Sequence, residues 1–230
     1  MSNAVPVIAI DGPSGVGKGT VSLRLAQQLG WHTLDSGALY RVLALAAIHH
    51  SISLQDEVAL AELAIHLEVH FEATPTLDTT QVFLAAQEVS VQLRTERCGT
   101  MASQLAILPA VRQSLLERQR AFRRLPGLIA EGRDMGTIVF NDATLKIFLT
   151  ASGEERARRR YKQLKEKGID AKLDSLITEI AERDNRDMTR TLAPLQVATD
   201  AHVIDTTYLS IEQVVTCILQ QLAKKIEIAN

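Results

Sequence analysis

Short aliphatic runs alternate along the chain with longer stretches in which apolar residues recur every three or four positions. The runs Val5–Ile10, Gly127–Ala130, Leu145–Leu149 and His202–Ile204 predict strands, because short runs of this kind are typical of the buried strands of parallel sheets. The alternation of such runs with helical spacing predicts an α/β fold with a central, doubly wound parallel sheet flanked by helices.

The helical spacing predicts helices over most of the remaining chain. Their expected bounds are Lys18–Leu29, Leu34–Ile48, Asp56–His66, Arg97–Ile107, Ala110–Arg123, Gly153–Lys167, Asp174–Met188 and Ile211–Ile226. The second helix has Asp35 or Ser36 as its expected N-cap. Between helical segments, Val69–Phe71 and Gln81–Leu84 predict two short strands around a turn at Thr74–Thr80, and therefore a small β-containing insert.

Composition narrows the function classes. The 230 residues are 46% hydrophobic but only 4% aromatic, so we expect one aliphatic core. The net charge of −2 excludes a globally basic nucleic-acid binder, and no nucleic-acid partner is expected. The longest apolar run, Val42–Ile48, is too short to cross a membrane, and no targeting segment is visible. We therefore expect a cytoplasmic protein in which Cys98 and Cys217 are buried, reduced thiols.

A glycine-rich loop lies between the first predicted strand and the first helix. Its sequence has the G-x-x-x-x-G-K spacing of a phosphate-binding loop, and the flanking strand and helix are the context this motif needs. Backbone N–H groups, the helix N-terminus and the Lys18 ammonium would hold the phosphates of ATP. The expected members are Gly12, Pro13, Ser14, Gly15, Val16, Gly17, Lys18, Gly19 and Thr20. The alternative is a plain connecting turn.

The loop departs from the common motif after its lysine. Gly19 stands where Ser or Thr usually ligates Mg²⁺, and Thr20 follows. We therefore expect no metal ligand from the protein here, with Mg²⁺ held mainly through phosphate oxygens and water. The Gly-Lys-Gly-Thr ending is more typical of nucleoside monophosphate kinases than of GTP-binding switches, and no asparagine in the chain is followed by Lys.

Two further stretches are candidates for an acceptor site. Leu34–Arg41 places cap-type residues before a helix, with Arg41 further along it. Leu128–Thr137 places Arg133 and Asp134 just beyond a predicted strand, at the sheet edge where ligands bind in α/β folds. Helix capping for the first stretch and a mutual Arg–Asp ion pair for the second are the alternatives.

Arginines cluster on two predicted helices. Arg156, Arg159 and Arg160 share one helix face, and the same holds for a second set: Arg183, Arg186, Asp187 and Arg190. Such clusters suit a reaction between two anions, in which positioning and charge stabilisation dominate. A solvated helix face is the ordinary alternative, and contact with RNA lacks the aromatic residues that would stack on bases.

In combination, these stretches resemble the bacterial cytidylate kinases. The resemblance rests on the phosphate loop, the Leu-Asp-Ser-Gly-Ala-Leu-Tyr-Arg stretch that begins at Leu34 and the Glu-Gly-Arg-Asp-Met-Gly-Thr stretch that begins at Glu131. It extends from about Asp11 to Arg190, and further matching segments include Arg183–Asp187. Glu131 stands at a position where an Asp is also common in the family.

The resemblance implies phosphoryl transfer from ATP to CMP or dCMP by a P-loop kinase, with a monomer expected. It implies a core of residues 1–62 and 104–230, a helical lid at about 152–172, and a monophosphate-binding insert at 63–103. The acceptor base would be surrounded by Ser36, Ser103, Arg112, Asp134 and Arg190. Arg41 and Arg133 would hold the acceptor phosphate, and Arg183 and Asp187 would contact the sugar. The catalytic residues expected are Lys18, Arg133, Asp134, Arg156, Arg159 and Arg160.

Two alternatives stay open. A kinase for another monophosphate or small metabolite would share the donor site but lack a base pocket formed by Ser103, Arg112 and Asp134. A nucleotide-binding switch would bind ATP or GTP tightly, turn over no monophosphate, and bind a partner according to its nucleotide state.

Overall fold

The structure, a computed structural model, describes residues 5–73, 80–166 and 168–229, so the turn expected at Thr74–Thr80 lies almost wholly outside it. Its strands are β1 (Val7–Asp11), β2 (His32–Asp35), β3 (Val69–Ala73), β4 (Thr80–Leu84), β5 (Gln87–Glu88), β6 (Leu128–Gly132), β7 (Leu145–Thr150) and β8 (His202–Asp205). Its α-helices are α1 (Lys18–Leu29), α2 (Ser36–His49), α3 (Glu57–Ile65), α4 (Ser90–Leu93), α5 (Glu96–Leu105), α6 (Pro109–Arg120), α7 (Gly153–Glu166), α8 (Leu173–Thr189) and α9 (Ile211–Ala229).

The central sheet has five strands in the order β2-β6-β1-β7-β8, and all neighbours are parallel. Alternate residues of β1 divide between its two faces. Ile8 and Ile10 pack with α1 and α9, whereas Val7 and Ala9 pack with Leu39 of α2 on the other face. Because both faces are covered, β1 is buried along its whole length, which explains its unbroken aliphatic run. The predicted α/β architecture is confirmed.

The predicted start of the second helix was wrong. The helix expected from Leu34 begins two residues later, because residues 32–35 form strand β2 and pair in parallel with β6. Leu34 is buried in the sheet, so its apolar side chain belongs to the strand and not to the helix. The capping prediction holds: Asp35 is the N-cap of α2, and its Oδ1 accepts a hydrogen bond from Ala38 N at 2.9 Å.

A smaller antiparallel sheet, β3-β4-β5, lies between α3 and α4 in the chain. Val82 and Leu84 of β4 pack into a second hydrophobic cluster with α2, α3, α5 and α6. The short elements β5 and α4 were not predicted, because neither is long enough to show a period. A π-helical turn at Met135–Val139 was also not predicted.

Helices α7 and α8 pack against each other beside the carboxyl edge of the central sheet. That edge also carries the segments that follow β1, β2 and β6, so the phosphate loop, Asp35 and Arg133 come together. Across the described ranges, none of the helices has the length and apolar character to span a bilayer.

Candidate active site

The phosphate loop leaves the centre of the sheet and closes tightly against its neighbour. Gly12 has φ +150°, and a Cβ on it would lie 2.2 Å from the carbonyl oxygen of Leu149 in β7, so no side chain fits. Gly17 is the N-cap of α1 with φ +95°, a conformation that glycine adopts without strain. Between them, Val16 is buried in the core and fixes the loop from beneath. The predicted loop thus stands at a helix N-terminus, ready to bind an anion.

Lys18 is folded into this loop. Its Nζ donates hydrogen bonds to the carbonyl oxygens of Gly12, at 2.7 Å, and Pro13, at 2.8 Å. Burial and then the nearby Arg133 lower the pKa of Lys18 to about 7, although Glu131 acts in the opposite direction. A bound phosphate would reverse this shift, because it supplies negative charge beside the ammonium.

Three carboxylates lie under the loop. Asp11 accepts hydrogen bonds from the backbone N–H groups of Met135 and Gly136, both at 2.8 Å, and so holds the π-helical turn; burial raises its pKa to about 6. Glu131 lies beside Asp35 across β6 and β2, and burial together with Asp35 raises the pKa of Glu131 to about 8.

These carboxylates bear on the expected Mg²⁺. A Cβ on Gly19 would lie 3.4 Å from Glu131 Oε1, so the carboxylate is next to the position where other loops place a hydroxyl ligand. Carboxylate oxygens are suitable ligands for Mg²⁺, directly or through water, so Glu131 and Asp35 fit a magnesium ion held beside the phosphates. Over the residues described, no three His, Cys, Asp or Glu side chains cluster as a metal site.

A cleft of about 1010 Å³ opens in front of the loop. Loop residues Ser14–Thr20 form part of its wall, except for the buried Val16, and cationic side chains form much of the rest. The predicted residues that line it are Arg41, Arg133, Arg159, Arg160 and Arg183. Donor and acceptor candidates thus share one basic cavity, as a transfer between two anions requires.

Two of these arginines converge on a glycine of α5. A Cβ on Gly99 would lie 3.1 Å from Arg41 Nη2 and 3.4 Å from Arg183 Nη1. A hydrogen bond from Arg41 to the carbonyl oxygen of Leu93 fixes its guanidinium. Two neighbouring cations repel each other, so an anion such as a phosphate would bind favourably between them.

Other predicted acceptor residues form buried pairs. Arg133 Nε donates to Asp187 Oδ2 at 2.7 Å. Burial alone would raise the pKa of Asp187, but Arg133 holds it below its ordinary value. Arg112 pairs with Asp134 and approaches the Tyr40 hydroxyl at 3.4 Å. Burial raises the pKa of Tyr40 to about 12.

The remaining residues of the predicted base pocket are Arg190, Ser36 and Ser103. Arg190 is near Asp134, and burial lowers the pKa of Arg190. Ser36 is the buried first residue of α2, and Ser103 is half-buried on α5. Neither serine contributes to the wall of the cleft as the structure describes it.

The lid arginines differ from expectation in one respect. Arg159 and Arg160 line the cleft, but Arg156 does not; it is 7% exposed and pairs with Asp184 of α8. The spacing places all three arginines on one helix face, but Arg156 lies nearest the start of α7, where its Nη1 donates to the carbonyl oxygen of Ser14 in the phosphate loop. In this structure Arg156 therefore lies outside the cleft, and its catalytic role stays a prediction.

Comparison with known proteins agrees with this arrangement. The sequence model of a family described as cytidylate kinase matches residues 8–224. The chain belongs to the cytidylate kinase family. A protein named cytidylate kinase from Shewanella frigidimarina (strain NCIMB 400) is 55% identical over 228 residues, which cover 99% of this chain and 100% of that protein. A protein of the same name from Pseudomonas aeruginosa (strain UCBPP-PA14) is 57% identical over 98% of each chain.

Among solved structures, a gluconokinase from Sinorhizobium meliloti 1021 aligns with a TM-score of 0.47 and 14% identity, covering 98% of this chain and 95% of that one. A likeness at that level carries no argument about this member of the cytidylate kinase family.

Sequence reasoning missed several residues that support the site of this cytidylate kinase family member. Thr206, after β8, donates to the carbonyl oxygen of Val16 at 3.2 Å and accepts from Arg159 Nη1 at 3.2 Å. Asp11, Tyr40 and Asp184 hold other parts of the site in the contacts described above. A lone threonine or aspartate carries no spacing signal, and the family resemblance named other positions.

Proposed function

We propose that this chain transfers the γ-phosphoryl group of ATP to CMP or dCMP. The observation that carries the proposal is that the phosphate loop and the acceptor-side arginines open into one cleft. Membership of the cytidylate kinase family supports the choice of acceptor.

On the donor side, the loop amides and Lys18 bind the ATP phosphates. Glu131 and Asp35 are the residues that would hold Mg²⁺, directly or through water, and the ion would supply positive charge beside the donor phosphates. The ammonium of Lys18 is already positioned by two loop carbonyls, so it needs little rearrangement to reach a phosphate.

On the acceptor side, Arg41 and Arg133 grip the monophosphate, and Arg183 adds charge from α8. Arg112 and Asp134 offer a fixed donor and acceptor to the cytosine edge, together with Ser36, Ser103 and Arg190. Asp187 contacts the sugar. The pairing of Arg133 with Asp187 and of Arg112 with Asp134 supports this assignment, because paired groups hold their orientation before substrate arrives.

Transfer is in line and forms no covalent enzyme intermediate. Arg159 and Arg160 of the lid stabilise the charge on the migrating group, while closure of residues 152–172 and the insert at 63–103 excludes water. Arg159 is held by Glu155 and Thr206, which supports a fixed role beside the donor. We further propose a monomer that acts in the cytoplasm.

A coupled assay of ADP formation with CMP, dCMP, UMP and AMP tests the function. We expect kcat/KM to be highest for CMP or dCMP. If UMP or AMP equals them, the specificity is wrong and a kinase for another monophosphate replaces it. If nucleotide binds tightly and no monophosphate is turned over, the nucleotide-switch alternative replaces the kinase proposal.

A further inference from the structure

Two aspartates, one turn apart on α8, pair with arginines on the donor and acceptor sides of the site. Asp184 Oδ2 lies 2.6 Å from Nη2 of Arg156, which underlies the donor loop. Asp187 pairs with Arg133 on the acceptor side. Because side chains three positions apart share a helix face, one face of α8 contacts both halves of the site.

Arg156 is bound on every side of its guanidinium. Nη1 donates to the carbonyl oxygen of Ser14 at 3.1 Å, and Nε donates to that of Ala151 at 3.2 Å, which leaves Nη2 for Asp184. A Cβ on Gly15 would lie 3.2 Å from Arg156 Cβ, so the loop backbone also packs against this side chain. A displacement of the loop therefore displaces Arg156.

Asp184 depends strongly on this partner. The residue is 9% exposed, and its other oxygen, Oδ1, is buried without a hydrogen-bond partner among the described residues. A buried carboxylate that loses its paired arginine keeps the desolvation penalty without the compensating attraction. Asp184 must therefore follow Arg156 when the loop moves, and α8 moves with it.

We propose that Asp184 is a positioning residue which, acting through Arg156, couples ATP binding in the phosphate loop to acceptor binding on α8. The coupling is reciprocal: a donor that fixes Ser14 also fixes α8, and an acceptor that fixes α8 also fixes the loop. This inference rests on the proposed function, because it takes the loop as the donor site and α8 as part of the acceptor site.

Calorimetric titrations with CMP and a non-hydrolysable ATP analogue test the coupling. In the unaltered protein, each ligand should raise the affinity for the other by at least about fivefold, the lower end of typical coupling. In Asp184→Asn, each affinity measured alone should change by less than about threefold, whereas the coupling should fall below about twofold. Glu182→Gln, which neutralises an exposed carboxylate on the same helix, should leave all four affinities unchanged.

The titrations separate this inference from the proposed function. If neither ligand binds the unaltered protein, the proposed function fails. If both bind but show no coupling, or if Asp184→Asn keeps the full coupling, the function stands and the inference is overturned.

Loss of the buried pair could also prevent Asp184→Asn from folding, which circular dichroism would reveal. The double variant R156M/D184L then replaces both charges by apolar groups of similar size, a change that buried ion pairs often tolerate, and it should also lose the coupling. Hydrogen exchange on the unaltered protein gives an answer without any variant. The ATP analogue alone should slow exchange at 184–190, and CMP alone should slow it at 14–18; absence of both effects overturns the inference.

Discussion

The proposed donor and acceptor halves of the site are built in opposite ways. The donor half is a single segment, Gly12–Thr20, whose backbone N–H groups and one lysine form the anion site. The acceptor half draws its side chains from α2, α5, α6, α8 and the segment that follows β6, and these side chains are more than 140 residues apart at the extremes. Two pairs of these acceptor side chains are already formed, Arg112 with Asp134 and Arg133 with Asp187.

This difference separates two kinds of specificity. Backbone amides at a helix N-terminus bind any suitable phosphate, so the donor half determines that phosphate binds but not which nucleoside carries it. Paired arginines and aspartates hold donors and acceptors in fixed directions, and they can reject a ligand that leaves a buried group unpaired. Discrimination between acceptors should therefore depend on the acceptor half alone.

The largest effect is expected at the donor lysine. Lys18→Ala should lower kcat by about 10³-fold or more, because it removes a preorganised cation beside the transferred phosphate. Steady-state kinetics with CMP at saturation measures this. Lys224→Ala, an exposed lysine of α9, should keep the kcat of the unaltered enzyme. If Lys18→Ala folds normally and keeps its turnover, the assignment of the loop as the donor site is wrong.

A smaller but more selective effect is expected at the acceptor. Asp134→Asn should lower kcat/KM for CMP by about 10²-fold, because it breaks the buried pair with Arg112 and removes a fixed acceptor. The KM for ATP should stay nearly constant. Asp142→Asn is the matched control, since it breaks an exposed Arg–Asp pair with Arg123 and should change neither parameter. Equal losses for CMP and UMP would show that Asp134 does not select the base.

A change of a few-fold is expected at the glycine between the acceptor arginines. Gly99→Ala should stabilise α5 by up to about 1 kcal/mol, since alanine is the better helix former. Its Cβ should also crowd Arg41 and Arg183 and raise the KM for CMP about threefold, without changing the KM for ATP. Thermal unfolding and initial rates measure the two effects. As a control, Gln104→Ala, at an exposed position of α5, should not change the KM for CMP. If Gly99→Ala also leaves this KM unchanged, the two guanidinium groups do not hold the phosphate.

The smallest expected effect is a difference in proton uptake between ligand binding at the donor half and at the acceptor half. At pH 8 without Mg²⁺, the protein should take up about one proton when ATP binds. The negative charge of ATP raises the pKa of both Lys18 (about 7 in the free protein) and Glu131 (about 8). Binding of CMP should cause a much smaller proton uptake, since the arginines proposed to hold it are already charged. Calorimetry in two buffers with different ionisation enthalpies measures the uptake. Release of protons with ATP, or equal uptake with CMP, would contradict this assignment.

The donor half could be predicted from the sequence because its chemistry lies in nine consecutive residues flanked by a strand and a helix. For the acceptor half, the sequence pattern indicates candidates such as Arg41, Arg133 and Asp134, but their roles follow only from the resemblance to a family, since spacing cannot show that Arg41 and Arg183 meet over Gly99. β2 was missed because Leu34 belongs to a strand that runs directly into a helix, so the apolar residues of both elements read as one period. The burial of Arg156 was invisible for a related reason: helical spacing gives a face but not what covers it.

Gly19 of the phosphate loop and Glu131 of β6 are neighbours at the carboxyl edge of the sheet. The Glu131 carboxylate lies 3.4 Å from where the Cβ of a side chain on residue 19 would begin, which is an ordinary van der Waals contact. A serine introduced at position 19 therefore fits beside the acid, and its hydroxyl would be placed to donate a hydrogen bond to that carboxylate. Any conversion of this loop to the common motif thus has to take residue 131 into account, because the acid competes with Mg²⁺ for the new hydroxyl.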